Sequence, residues 1–187
     1  SVAPKILAAA APKLTPCTLD LGGKSSAVWA WSMPVTFNTS AEKLLNLSYD
    51  RQLQVLLKRL LIQRMYNNGQ LCNAPDYVLI VQGDLDQGET LQRFANMCQQ
   101  VFDQWYTEIK GSDKTLSGRL INEEQFDQVT TMMDELDKGT LIKLSDGKLP
   151  DRAEKFYPPT LVLNPPPDSL VMTTENLAPI LALIPVA

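Results

Sequence analysis

Apolar positions recur at three- and four-residue spacing through Leu53, Leu56, Leu57, Leu60, Leu61 and Met65. That periodicity predicts an amphipathic helix from about 51 to 66, with Asp50 as its expected N-cap. Asn67-Asn68-Gly69 then reads as a helix stop and turn. A second long helical pattern runs from Gly88 to Lys110, with Leu91, Phe94, Ala95, Cys98, Val101, Phe102 and Trp105 on one face. A third spans Glu123 to Leu136, and a short one covers residues 3–11 with Pro4 in its first turn. Between these lie strand patterns of branched and aromatic residues: 17–21, 26–31, 77–81, 140–144, 159–163 and 180–185. Gly118 to Asn122 reads as a short strand or turn, and 32–47 as a polar surface loop. Strands alternating with helices predict an α/β fold, one domain over 1–187 with a largely parallel sheet flanked by helices. No internal repeat is visible.

Composition narrows the chemistry. The 187 residues contain no histidine, which removes Ser-His-Asp and Cys-His catalysis and every imidazole ligand. Three cysteines, Cys17, Cys72 and Cys98, show no C-x-x-C spacing, so no metal site or redox pair is expected. A net charge of −4 with dispersed basic residues argues against a nucleic-acid surface. Lys58, Arg59 and Arg64, the densest basic group, fall on the helix over 51–66. No apolar run reaches the ~18 residues that would cross a bilayer. Reduced cysteines suit a cytoplasmic protein, whereas the triplets at Asn38 and Asn46 fit N-glycosylation and keep a secreted origin open.

Five short segments, taken in order, resemble aldehyde dehydrogenases. Leu14-Thr15-Pro16 followed by Thr18-Leu19-Asp20-Leu21-Gly22-Gly23-Lys24-Ser25 is similar to that family's L-T-P-x-T-L-E-L-G-G-K-S. Asn68-Gly69-Gln70-Leu71-Cys72 resembles its G-Q-x-C loop, and Ala74-Pro75-Asp76-Tyr77 resembles the class 3 and fatty-aldehyde branch. Gly118 to Asn122 and Tyr157 to Leu161 also fit that branch. Thr174-Glu175-Asn176-Leu177-Ala178-Pro179 looks like an altered copy of E-E-I-F-G-P. The likeness covers nearly the whole chain except 32–47, which reads as an insertion.

The resemblance implies a catalytic domain for NAD- or NADP-dependent oxidation of aldehydes to acids through a cysteine thioester. Cys72 matches the nucleophile. Asp20 stands at the position of the family's glutamate base, on an arm shorter by one methylene; misplacement by ~1 Å can cost about a hundredfold in rate. Glu175 matches a cofactor-ribose carboxylate, and Leu177 replaces an aromatic beside the cofactor. Cys17 and Cys98 read as structural, in a strand and on an apolar helix face. Trp29, Trp31 and Trp105 read as core or rim aromatics. The family's coenzyme-binding domain is not matched in this chain, so weak or absent activity of the isolated chain is expected. Two other readings stay open: a non-catalytic binding or signalling protein, secreted and immunomodulatory in type, that reuses the fold for a protein partner, and a Cys72-dependent esterase. A homo-oligomer is compatible with each.

Overall fold

The computed structural model describes residues 2–30, 49–81, 87–110, 118–144 and 149–186. Trp31, the 32–47 segment and the triplets at Asn38 and Asn46 lie outside the described residues. The chain order is α1 (Ala3–Ala10), β1 (Ser25–Ala30), α2 (Tyr49–Met65), β2 (Pro75–Val81), α3 (Gln87–Lys110), α4 (Glu123–Asp134), β3 (Leu141–Lys143), β4 (Thr160–Leu163), α5 (Leu170–Thr173) and β5 (Ile180–Val186). The five strands form one sheet in the order β1-β2-β5-β4-β3. Every pairing is parallel except β3 with the neighbouring β4. The expected α/β class with a largely parallel sheet is therefore what the chain adopts, as one domain.

The sequence pattern explains why the sheet is covered on both faces. Residues 180–183 of β5 are all buried, as a central parallel strand requires, so Leu181 and Leu183 face one layer while Ile180 and Ala182 face the other. On the first side α2 and α3 bring Leu57, Leu61, Phe94, Cys98 and Phe102 against Val78, Ile80 and Leu161. On the second, α4 packs Phe126, Val129 and Met133 with Tyr157 and Val162. Burying each such side chain contributes about 1.5–3 kcal/mol, which outweighs helix propensity in fixing these elements. Asn122 caps α4 by accepting the Gln125 N–H at 2.8 Å.

Two expectations need correction and a third narrows. Residues 17–21 are not a strand: the chain from Thr15 to Lys24 is irregular, and Cys17 is exposed rather than structural. The alternation there arises from leucines that lie at the surface, Leu21 being 69% exposed. Asp50 falls within α2, one residue after its start, instead of capping it. Of the two readings left open for Gly118 to Asn122, strand or turn, the strand falls away: the segment pairs with no strand and bends at Ile121 and Asn122. Cys98, by contrast, is buried on the apolar face of α3, and Trp29 meets Phe94 edge-on at 5.1 Å.

Tyr157 ties the second core to pH. Burial, with the charge of Asp134 adding to it, pushes its phenol up to about 12. An unfolded tyrosine ionises near 10, so between about pH 10 and 12 the unfolded chain binds fewer protons than the folded one, and stability falls as pH rises. The stabilisation is fully present below pH ~10 and lost through ~12. Urea unfolding at rising alkaline pH should show this decline, and Tyr157→Phe should flatten it; a slope equal in both proteins would contradict the assignment.

Candidate functional site

Three motif segments far apart in sequence each end where a parallel strand begins. Gly22-Gly23-Lys24 precedes β1, the Asn68–Ala74 turn precedes β2, and Glu175–Pro179 precedes β5. Since β1, β2 and β5 are adjacent and parallel, their amino ends share one edge of the sheet. Topology alone thus gathers the segments. This is the opposite edge from the carboxyl-end crevice where open α/β sheets usually bind ligands.

The nucleophile turn is made by unusual backbone. Asn67, Asn68 and Gly69 all have positive φ, of 48°, 58° and 76°, a run suited to asparagine and glycine. It reverses the chain sharply after α2 and leaves Cys72 exposed on the following turn. Gln70 fixes the outer side of this turn. Its Nε2 donates to the carbonyls of Asn67 at 3.0 Å and Arg119 at 2.9 Å, while its Oε1 accepts the Ile121 N–H at 2.8 Å. Gly118 allows the close approach, since a Cβ there would lie 3.1 Å from Asn68 Cβ. The Gly118–Asn122 segment is therefore the bracket of the cysteine turn.

A buried ion cluster holds the inner side. Arg64 has no solvent exposure. Its Nη1 donates to Asp76 Oδ1 at 2.7 Å and to the Pro75 carbonyl at 3.2 Å. Its Nη2 donates to the Asn176 carbonyl and side-chain oxygen and to the Ala178 carbonyl. Asp76 also receives Lys24 Nζ at 3.0 Å and the Asn176 N–H at 3.3 Å. Lys24 in turn donates to the Thr174 carbonyl at 2.9 Å. Burial lowers the Arg64 pKa, while Asp76 and Glu175 oppose that shift electrostatically, so the guanidinium keeps its charge. The sequence pattern had placed Arg64 merely in a basic group on a helix; a lone arginine gives no sign of burial.

The expected site residues fall as follows. Glu175 is half-buried, and its Oε1 accepts the Gly23 N–H at 3.4 Å. Gly22 makes room for it, because a Cβ there would lie 2.6 Å from Glu175 Oε2. Leu177 is half-buried beside it, its carbonyl accepting Gln125 Nε2 at 3.5 Å. Asp20 is exposed, and its Oδ1 accepts the N–H of its near neighbour Gly22 at 3.3 Å. Glu175 is thus brought to the Asp20 segment, and Ala178 to the Gly69 turn. No hydrogen bond joins Asp20 to Cys72 among the described residues. No cluster of metal-ligating side chains occurs among them either.

Fold and site together define an α/β domain presenting an exposed thiol on a strained turn at the amino edge of a parallel sheet. The chain belongs to the aldehyde dehydrogenase family, whose model matches residues 1–187. It is similar to aldehyde dehydrogenase family 3 member H1 of Arabidopsis thaliana, with 31% identity over 96% of this chain and 32% of the relative. A probable coniferyl aldehyde dehydrogenase of Pseudomonas aeruginosa is likewise 31% identical, over 99% of this chain and 33% of its own length. The chain thus spans about a third of the curated relatives it matches. Among solved structures, a substrate-bound Staphylococcus aureus AldH superposes with a TM-score of 0.71 over 99% of this chain and 34% of its own, at 22% identity, a likeness of fold. No helix among the described residues is long and apolar enough to cross a membrane.

Proposed function

We propose that this chain carries the cysteine side of an NAD(P)-dependent aldehyde-oxidising site, with Cys72 as nucleophile. The observation that carries the reading is the Cys72 turn itself: exposed at its tip, reversed by three positive-φ residues, and bracketed by Gln70 and Arg64. A turn held from both sides presents sulfur at a defined place, which a nucleophile needs and a packing cysteine does not. The Cys72 thiolate would add to the aldehyde carbonyl carbon, giving a thiohemiacetal oxyanion. A nicotinamide, if bound, would supply the acceptor for the hydride that must leave this carbon, and Cys72 would then carry the acyl group as a thioester. Water then attacks the acyl carbon, its proton passing to a carboxylate, and sulfur departs as thiolate.

Asp20 is the carboxylate assigned to that proton. Its short arm and exposed setting favour slow turnover. Glu175 and Leu177 would hold one edge of NAD or NADP. The fit rests on a half-buried carboxylate, seated beside glycine backbone, that can accept hydrogen bonds from ribose hydroxyls. The substrate is an aldehyde, and the isolated 1–187 domain is expected to be weakly active or inactive.

A binding role for the fold is the second reading. The arm before β1 favours it, because Leu14 and Leu21 are 90% and 69% exposed.

One experiment separates the two. Iodoacetamide should modify Cys72 and Cys17 in the native protein, and Cys98 only after unfolding, as their exposure dictates. Whatever aldehyde-dependent reduction of NAD or NADP, or aryl-ester hydrolysis, the chain supports should then be lost in Cys72→Ser and kept in Cys17→Ser. Activity that survives Cys72→Ser overturns the nucleophile assignment.

A further inference from the structure

The Arg64 guanidinium never approaches solvent, yet it touches both segments on which the site depends. It lies eight residues before Cys72 and grips the first two residues of β2 through the Pro75 carbonyl and Asp76. The same fork holds the Asn176 and Ala178 carbonyls, which flank Leu177 and follow Glu175. Gly69, the last positive-φ residue of the nucleophile turn, packs directly on that Ala178 carbonyl: a Cβ would stand 2.1 Å from its oxygen and 2.9 Å from Arg64 Nη2. Turn, guanidinium and 176–178 segment are therefore one packed unit. Lys24 extends it to the segment before β1 through Asp76 and the Thr174 carbonyl. A planar, multiply donating cation is suited to joining carbonyls from two separate segments at once. An apolar side chain could fill the volume but would hold neither segment.

We propose that Arg64 is a positioning residue for Cys72, fixing the nucleophile turn against the Glu175–Ala178 segment so that the thiol's reactivity depends on a side chain it does not contact. The inference rests on the nucleophile reading of Cys72 and adds the device that holds it. In Arg64→Met, Asp76 keeps Lys24 and the Asn176 N–H as partners, so no buried charge is stranded and the fold is expected to persist.

The test is the rate of Cys72 alkylation by iodoacetamide in the full chain with Cys17→Ser, native against urea-unfolded, with far-ultraviolet circular dichroism confirming the fold. A held nucleophile should react about tenfold faster native than unfolded. Arg64→Met should bring that ratio to within about threefold of unity, and Arg64→Lys, which restores one buried cation, should recover most of it. A high ratio that persists unchanged in folded Arg64→Met overturns the positioning role and leaves the nucleophile reading standing. A ratio near one in the Arg64-containing protein overturns both. Should Arg64→Met fail to fold, amide exchange on the protein with Arg64 intact decides: residues 69–74 and 176–178 opening together supports the coupling, and independent opening overturns it.

Discussion

Asp76→Leu is expected to destabilise the fold by about 3–5 kcal/mol, close to abolishing it in a domain of ordinary stability. The size follows from which partner is left behind. Asp76 and Arg64 are both buried, and Asp76 is the carboxylate shared by Arg64 and Lys24. With leucine in its place the Arg64 guanidinium stays enclosed, with carbonyl acceptors and no counter-charge in contact, and the Asn176 N–H loses its acceptor. Arg64→Met runs the other way, since Asp76 retains Lys24, and should cost much less. Urea midpoints of the two variants at neutral pH measure the asymmetry. Equal losses would mean that the pair acts by packing rather than by charge. Asp76→Leu within about 1 kcal/mol of the parent protein would remove the cluster from any account of stability.

Much of the architecture could be read from periodicity because the forces that fix it are local and repetitive. The α3 stripe, from Leu91 through Phe102, is apolar because it packs on the sheet, and its spacing shows in the sequence. The stop after α2 could be read because Asn-Asn-Gly tolerates the left-handed backbone that Asn67 to Gly69 adopt. Residues 17–21 misled for the same reason in reverse. Their alternation is that of a strand, but β1 begins later, at Ser25, and the leucines before it find no layer to pack against within the described chain.

Of the site, the residues could be named but not joined. Cys72, Asp20, Glu175 and Leu177 were singled out by resemblance, and the fold places each. What brings the three segments together is strand order, β1-β2-β5, a long-range pairing that no local pattern encodes. The roles of Arg64 and Gln70, residues the sequence names only as members of a basic group and a motif, could not be read for a related reason. Each acts on segments remote in sequence, Gln70 on Arg119 and Ile121, and Arg64 on Asn176 and Ala178. A sequence signal was present, in that the segments at 22–24, 68–74 and 175–179 each directly precede a strand of a sheet expected to be parallel. Such segments must collect at the amino edge whenever their strands are neighbours.

The same edge sets the second large effect, an ordering among three glycines. Gly69→Ala is expected to cost at least about 3 kcal/mol and to loosen the Cys72 turn, because two penalties fall on one atom. Its φ of 76° is a conformation alanine enters only with strain, and the new Cβ would sit 2.1 Å from the Ala178 oxygen and 2.5 Å from its carbonyl carbon. That carbonyl cannot retreat cheaply, since it is an acceptor for buried Arg64. Gly22→Ala should cost less. It shares the positive φ, but the obstacle at 2.6 Å is the end of the Glu175 side chain, which can swing toward solvent. Gly23→Ala should be nearly neutral, within about 0.5 kcal/mol, for its Cβ would meet nothing within 4 Å. Thermal or urea unfolding of the three variants gives the order directly. Gly23→Ala as damaging as Gly69→Ala would show that these glycines act through chain flexibility, and the close packing of the Cys72 turn on Ala178 would no longer explain why glycine precedes Gln70.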